Sequence, residues 1–535
     1  MERYLRNSIL TGLLLLTAGM ACNRMAQPGA SPEQDSTMRA DSTIDPEPEI
    51  LARQKPDTVY SRADTALADK VPGGEYGDAD EAVEFINRTF LGNWQRNYYG
   101  DKAPDTLGII WKHYLGKGIT VISRALGERE WAGAGWTGQP LLVREHEKLM
   151  LVQGAYDHHL KKIDAQTGEL VWQYQFDDVI KGTGTLWSNA GARDTANRWL
   201  ILQGSRLGTH HYLDADKVYS YRAISLVDGS ERWRHNVKFT RSYSRDVDAS
   251  AIVYRDTGYI GLENGLFTLF DPDPTSTIRN DSFNIPLIHD QHYLYEKEDA
   301  IQHGGNLVTE ASPAMIGRMI YVASGSGHVW GYDMDRNELT WDFFIGSDMD
   351  GSPVVTADSC LLIAVEKQYI EGRGGLLKLD PSKSPEEAVE WFFPVKDTAY
   401  VSWEGGIIGS AGVSDSYNDQ RLAACIAIDG NMYVVRHDSI TKEMVTGFDG
   451  KTMYPTPELV FTYKTGPSIS TPIFTDNRIV ACGYGGIHLF AYDGEKRFSL
   501  LDKLPFMVES TPFVYKERIY IASRNGFLYC LGNNR

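Results

Sequence analysis

The sequence predicts an all-β protein: an eight-bladed β-propeller of four-stranded antiparallel blades, with seven blades as the alternative count. Three observations carry that expectation. A Ser/Thr-Pro dipeptide followed by two short β-rich runs recurs, most clearly at Ser312-Pro313, Ser352-Pro353, Thr471-Pro472 and Thr511-Pro512. Pro313 to Pro353 and Pro472 to Pro512 each span 40 residues, a period that in four-stranded units means radial blades rather than a helical solenoid. Between these copies lies a second unit, a strand, a polar turn and a strand carrying Trp, sharpest in Ile163 to Trp172.

The elements follow in chain order. Arg3 and Arg6 precede a short apolar stretch, Ile9 to Leu16, and small residues then lead to Cys22. The stretch is too short to span a bilayer as a mature helix, so residues 1–21 are expected to be a cleaved signal. A Cys directly after such a run resembles the bacterial lipoprotein signal, which makes Cys22 the expected lipidation site. Residues 22–76 hold Pro28, Pro32, Pro46, Pro48, Pro56 and Pro72 among Ser, Asp, Glu, Gln and Ala, with no Phe or Trp. Such a composition cannot bury enough apolar surface to offset its ordering entropy, and reads as a flexible tether. Residues 77–106 form a lead-in, and 107–535 the propeller.

Within the propeller, Asp164 to Gly168 supply a tight hairpin turn, and alternating apolar residues on either side supply half-buried strands. Ile224 to Trp233, Tyr332 to Trp341 and Leu379 to Trp391 repeat the pattern more loosely. A Trp at a fixed offset is expected to fill the wedge between neighbouring blades. Leu107 to Leu115 has an outer-strand Trp111 but no blade of its own, while the eighth repeat lacks an outer strand. The N-terminal strand is therefore expected to complete the last blade, which closes the ring and removes its open edges.

Composition narrows the function. The 535 residues include 53 Lys and Arg against 71 Asp and Glu, a net charge of −18, which argues against a nucleic-acid binder. Five cysteines are too few for a disulfide scaffold. No phosphate-binding Gly loop, nucleophile elbow or zinc-protease motif occurs.

The Asp-x-x-Thr-Gly-x-x-x-Trp pattern of Asp164 to Trp172 resembles the repeat of the quinoprotein-like (PQQ-repeat) propellers. Phe90 to Arg96 is similar to the Phe-x-Gly-Asn-x-x-Arg segment that precedes their first blade. That group includes PQQ-dependent dehydrogenases and the non-catalytic outer-membrane-assembly lipoproteins of the BamB kind. For the enzymes, the resemblance implies PQQ stacked between a Trp and a vicinal disulfide, with Ca²⁺ held by acidic and amide side chains. No two cysteines are adjacent here, since Cys360, Cys425, Cys482 and Cys530 are dispersed. One constellation remains. Glu310, Asp350 and Glu509 each stand three residues before a repeat Pro, and Asp248 and Glu404 take comparable places in looser repeats. These five acids are expected to line one mouth of the channel as a cofactor-binding or partner-binding rim, with Arg245, Lys367 and Arg373 as candidate counter-charges. No catalytic residue is assigned, and no metal site is. His158-His159, His210-His211, His289-x-x-His292 and His303 read as surface histidines, and Trp131, Trp136, Trp187 and Trp403 as sugar-stacking candidates if exposed.

The expected function is a non-catalytic envelope lipoprotein, on the periplasmic side of the outer membrane, that acts as a scaffold or binding module for other envelope proteins or a ligand. The alternative is a periplasmic oxidoreductase with PQQ and Ca²⁺ at the acidic mouth.

Overall fold

Short aliphatic runs separated by Gly- and Asp-containing turns form strands that pair with their sequence neighbours, because a two- to five-residue hairpin loop leaves no other partner within reach. The computed structural model describes residues 83–123, 126–209, 213–280, 282–396, 405–494 and 497–533. Among them eight antiparallel blades succeed one another around a ring, so the chain is an eight-bladed β-propeller. Blade 4 is representative, with strands Ala314–Ile316, Met319–Ala323, His328–Asp333 and Glu338–Phe344 from the channel outward. Its two middle strands are buried on both faces, and its outer strand alternates. Blade 8 consists of Phe513–Tyr515, Arg518–Ala522 and Phe527–Gly532, and Gly108–Tyr114 supplies its outer strand. Tyr114 pairs with Phe527 and Gly108 with Gly532, so the ring closes through the N-terminal strand as expected.

The repeat Trp residues dock blade on blade. Trp111, Trp172 and Trp233 donate their indole N–H to the carbonyls of Ala165 (3.1 Å), Leu226 (3.1 Å) and Pro272 (2.9 Å) of the following blade. Trp341 and Trp391 do the same to Lys383 (3.1 Å) and His437 (2.9 Å). The turn glycine serves this contact too. Gly168 has φ +78°, and a Cβ there would lie 2.8 Å from the Trp111 ring, so Gly is required both by the turn and by the indole lying flat on it.

At the channel, the innermost strands are joined by hydroxyls. The backbone N–H groups of Ser250, Ser312 and Ser352 donate to Ser312 Oγ (2.9 Å), Ser352 Oγ (2.8 Å) and Ser410 Oγ (2.9 Å), each in the next blade. Gln139 N donates to Thr183 Oγ1 (2.8 Å), and Thr471 N to Thr511 Oγ1 (3.3 Å).

The lead-in is built into this core. Strand Val83–Asn87 adds to the inner edge of blade 1, on Leu141–Glu145. The chain then floors the channel. Backbone bonds tie Arg88 to Leu186 (2.7 Å), Trp94 to Met315 (2.8 Å), Gln95 to Val355 (2.9 Å) and Tyr99 to Val514 (3.1 Å). Arg96 is fully buried and donates to Pro313 O, Thr89 Oγ1, Phe90 O and Ser250 O. Burial alone lowers its pKa to about 9.

Between blades 3 and 4 the chain inserts a helical segment, Lys297–Gln302, whose Asp299 lies 3.3 Å from His328 Nε2. His328 Nδ1 is 2.6 Å from Asp342, and the ring stacks on Trp330 at 4.7 Å. Burial alone would push this imidazole down, but the hydrogen bonds to Asp299 and Asp342 outweigh it and hold the pKa at about 9. No helix among the described residues is long and apolar enough to cross a membrane.

Two predictions test these contacts. Arg96→Ala strands four buried acceptors and should cost about 3 kcal/mol, read as a lower urea midpoint. A His pKa raised in the folded state stabilises below the unfolded value near 6.5 and loses that contribution as pH rises through about 9. Wild-type stability should therefore fall across that window, and His328→Gln should flatten the slope there.

Candidate functional site

The hydroxyl belt fixes what faces the channel mouth. Two residues before each belt position stand Lys181, Asp248, Glu310, Asp350, Ile408, Ile469 and Glu509, for blades 2 to 8 in order, with Thr137 two before Gln139 of blade 1. The mouth is thus acidic over blades 3 to 5 and apolar over blades 6 and 7. In blade 6 the equivalent position is Ile408. Glu404, the fifth acid expected at the rim, lies outside the described residues.

Asp248 and Glu310 are brought together with Glu263, which ends the second strand region of blade 3; ligand-type atoms of the three lie within 4.8 Å. Lys181 Nζ contacts Asp248 and stands 4.0 Å from Glu310. Burial first, then the carboxylates of Asp248, Asp348 and Asp246, raise Glu310 to about 8 against the pull of Lys181. Asp350 gathers separately with Asp348 and Glu366, again within 4.8 Å. Asn306 Nδ2 donates to Asp348 at 2.7 Å. Burial, reinforced by Glu310, Asp348 and Glu366, holds the Asp350 carboxyl well above its usual range, and Asp350 and Glu366 hydrogen-bond to each other. Two adjacent buried carboxyls resist ionising together. Glu366 Oε1 is 1 % exposed as a residue and accepts no hydrogen bond.

Glu509 stands apart, in blade 8. Its carboxylate accepts from Arg524 Nη1 (2.7 Å) and from the Tyr484 hydroxyl (2.7 Å). Lys181 and Arg524 thus supply counter-charge to Asp248 and Glu509. Of those expected from sequence proximity, Arg245 donates instead to the carbonyls of Val237, Leu213 and Ala215, and Lys367 to that of Gly372.

Above this layer the chain covers its own mouth. A hairpin, Lys117–Ser123 and Gly127–Ala132, follows the ring-closing strand. Arg206 clamps it, donating to Thr120 Oγ1 (2.8 Å) and Val121 O (3.0 Å) while its Nε donates to Asp246 (2.7 Å). Trp131 lies 5.1 Å from Tyr156, and the Arg524 guanidinium lies over both rings. The chain then descends through Gly135, where a Cβ would fall 2.4 Å from Glu509 Oε2, to Trp136, which packs among Ile408, Ile428, Ile469 and Tyr484. Trp136 (φ 27°), Thr137 (φ 40°) and Gly138 (φ 29°) are all left-handed, a strain of roughly 1–3 kcal/mol for each non-Gly residue. Trp131, Trp136 and Trp187 are buried, so none offers an exposed sugar-stacking face; Trp403 lies outside the described residues.

With that geometry in view, neither a protein-family profile nor a curated protein matches the chain. Solved structures do. Quinohemoprotein alcohol dehydrogenase from Comamonas testosteroni aligns with a TM-score of 0.52 at 13% identity, covering 89% of this chain and 84% of that one. The fold is that of a β-propeller. BamB from Moraxella catarrhalis aligns at 0.46 and 14% identity over 80% of this chain and 98% of its own. The computationally designed Ika8 protein aligns at 0.46 and 11%, over 75% and 96%.

Among the described residues, the clustered carboxylates suit a cation. Asp348, Asp350, Glu366 and Asn306 offer the hard oxygen donors that a Ca²⁺ ion takes. PQQ, a planar polycarboxylate, needs cations for its carboxylates and walls for its ring. Lys181, Arg206 and Arg524 already face Asp248, Asp246 and Glu509. Cys360, Cys425, Cys482 and Cys530 are separate free thiols buried in the blades, so they form no vicinal disulfide wall. Among the described residues, the vicinal disulfide wall that the enzymes of this resemblance use has no counterpart. Among the described residues no clustered metal-ligand group contains a histidine, and His210-His211 lie outside them.

Two signals could have found more of the site. Lys181 follows from applying the same two-residue offset to Thr183, although no Pro marks that blade. Glu263 and Glu366 each come directly after or near the end of the second aliphatic run of their blades. Trp136 belongs to an insertion with no repeat to align it.

Proposed function

We propose that this quinoprotein-like propeller is a non-catalytic binding module of the bacterial envelope. It would be tethered by a lipid on Cys22 on the periplasmic side of the outer membrane, and would engage envelope proteins at the channel mouth. The observation that carries this reading is the layer at the blade entries, acidic through Asp248, Glu310 and Asp350 and packed elsewhere by the chain's own Trp131, Trp136, Tyr156 and the Arg524–Glu509 pair. The acidic arc of Asp248, Glu310 and Asp350 supports a basic partner group that reaches this layer, since a positive charge there offsets the mutual repulsion of the carboxyls. The alternative, a PQQ- and Ca²⁺-dependent oxidoreductase, draws on the acid and amide donors around Asp348.

Purified full-length protein mixed with PQQ and Ca²⁺ should show neither a bound-quinone absorption spectrum nor reduction of an artificial electron acceptor. A stoichiometric quinone spectrum that Asp350→Ala abolishes would overturn the module reading in favour of the enzyme. Cys22→Ser should move the protein from the membrane to the soluble fraction and end fatty-acid labelling. A variant still labelled and membrane-bound would refute the lipid anchor, because a multiply acylated Cys22 is what holds the chain.

A further inference from the structure

The layer at the blade entries holds two clusters of carboxyls, and the chain serves them differently. Asp248, Glu263 and Glu310 gather around Lys181, whose Nζ contacts Asp248 and stands 4.0 Å from Glu310. Asp348, Asp350 and Glu366 gather as closely, with ligand-type oxygens within 4.8 Å of one another and all three residues buried. Among the described residues no Lys or Arg pairs with Asp350 or Glu366. Lys367, next to Glu366 in the chain, turns away and donates to the carbonyls of Glu371 (3.4 Å) and Gly372 (2.7 Å). Buried charges are paired or coordinate metals, or else they take up protons, so this second cluster calls for an ion from outside or for protonation.

An independent observation favours the ion. Gln368 Nε2 donates to Glu366 Oε2 (3.1 Å), while Oε1 of this fully buried residue accepts from nothing. The surroundings hold the oxygens in place. Ser347 Oγ donates to Glu366 O (2.5 Å) and accepts from Gln368 N (3.3 Å), which ties the loop of Asp348 and Asp350 to that of Glu366. Asn306 Nδ2 donates to Asp348 Oδ2 (2.7 Å), and Asn306 Oδ1 accepts from the Tyr243 hydroxyl (3.0 Å). Gly325 leaves a cradle on the blade 4 side, where a Cβ would stand 2.8 Å from Asp348 Oδ1 and 3.1 Å from Asn306 Oδ1.

The structure assigns Asp348, Asp350 and Glu366 as a Ca²⁺ site between blades 4 and 5, with no quinone among its ligands. Every donor is a hard oxygen, and three carboxylates binding through both oxygens meet the roughly six that Ca²⁺ requires. Mg²⁺ keeps several waters and demands a strict octahedron, which a buried site of carboxylates from two loops does not offer. The ion would link the Asp348–Asp350 loop to Glu366 and, through Asn306, fasten blade 4 to blade 5. This goes beyond the binding-module reading, because the ion takes only the blade 5 end of the acidic arc and leaves Asp248, Glu310 and Lys181 as they are.

The test strips the full-length protein with a chelator and titrates it with Ca²⁺ by calorimetry, without PQQ. One Ca²⁺ should bind per chain, at least about tenfold more tightly than Mg²⁺. A Ca²⁺ concentration about a hundredfold above Kd should raise the melting temperature by about 3 °C. Asp350→Asn and Glu366→Gln should each abolish that binding. Each should nonetheless melt higher than wild type when both are free of Ca²⁺, because one repelling carboxyl is gone; a residue that serves packing alone would give the opposite sign. Glu263→Gln, in the cluster that Lys181 serves, should bind Ca²⁺ as wild type does. Should the site variants fail to fold, wild-type protein dialysed against Ca²⁺ and desalted should still retain one calcium per chain on metal analysis. No uptake by the wild type, equal affinity for Mg²⁺, or uptake unchanged in both Asp350→Asn and Glu366→Gln overturns the inference. None of these results bears on the module reading, since neither a partner nor a quinone enters the titration.

Discussion

The belt of Ser and Thr hydroxyls around the channel is the constraint on which the rest depends. An innermost strand such as Val354–Val355 is two residues long, too short for its ladder bonds alone to hold it in place. The N–H of Ser352 just before it faces the crowded axis, where an unpaired buried donor costs about 1–3 kcal/mol. Passing each N–H to the hydroxyl of the next blade satisfies the donor and sets the angular step between blades in one contact. The Trp docking at the periphery repeats the step at larger radius. Belt and rim together make a rigid ring from eight units that could not cover their own faces.

A fixed step at the belt means that one sequence offset maps to one circle of side chains. That circle carries Lys181, three acids, two isoleucines and Glu509, and the insertion that follows the ring-closing strand covers it. The mouth is therefore an internal layer with two characters. Over blades 3 to 5, burial and mutual repulsion raise the carboxyls above their usual range. Over blades 6 and 7, the same layer is a dry aliphatic seat. Rotating the belt by one residue in any single blade would exchange a mouth side chain for a wall side chain.

The parts of this arrangement legible in the sequence are those the repeat enforces. The Asp164 to Trp172 unit, the Ser/Thr-Pro dipeptides and the orphan strand at Leu107 to Leu115 were sufficient to foresee eight blades and their closure, because each records a contact made many times over. The offset that picks out Asp248, Glu310 and Asp350 is read from the same repeat. Lys181 escaped because its blade opens with Gly182-Thr183 rather than Ser-Pro, and the counter-charge was sought among residues near the acids in sequence rather than one blade away in space. The role of residues 83–103 was hidden differently. Arg96 and Tyr99 bond to blades hundreds of residues downstream, and no local pattern announces such partners. Trp136 likewise depends on Ile408, Ile428 and Ile469, which meet only once the ring is closed.

The floor has a bearing on how the chain reaches this shape. Residues 83–103 touch blade 1 first through Leu142 and Gln139, then blades 2, 3, 4 and 5 through Leu186, Ser250, Met315 and Val355, in the order in which synthesis delivers them. A chain emerging amino end first thus brings along a jig against which each new blade can be seated as it arrives. The strand at Gly108–Tyr114 waits through the whole process with one edge unmet, until Phe527–Gly532 reaches it. For that interval the half-built ring is a sticky open spiral, and its safe passage across a compartment becomes a question of timing rather than of final stability.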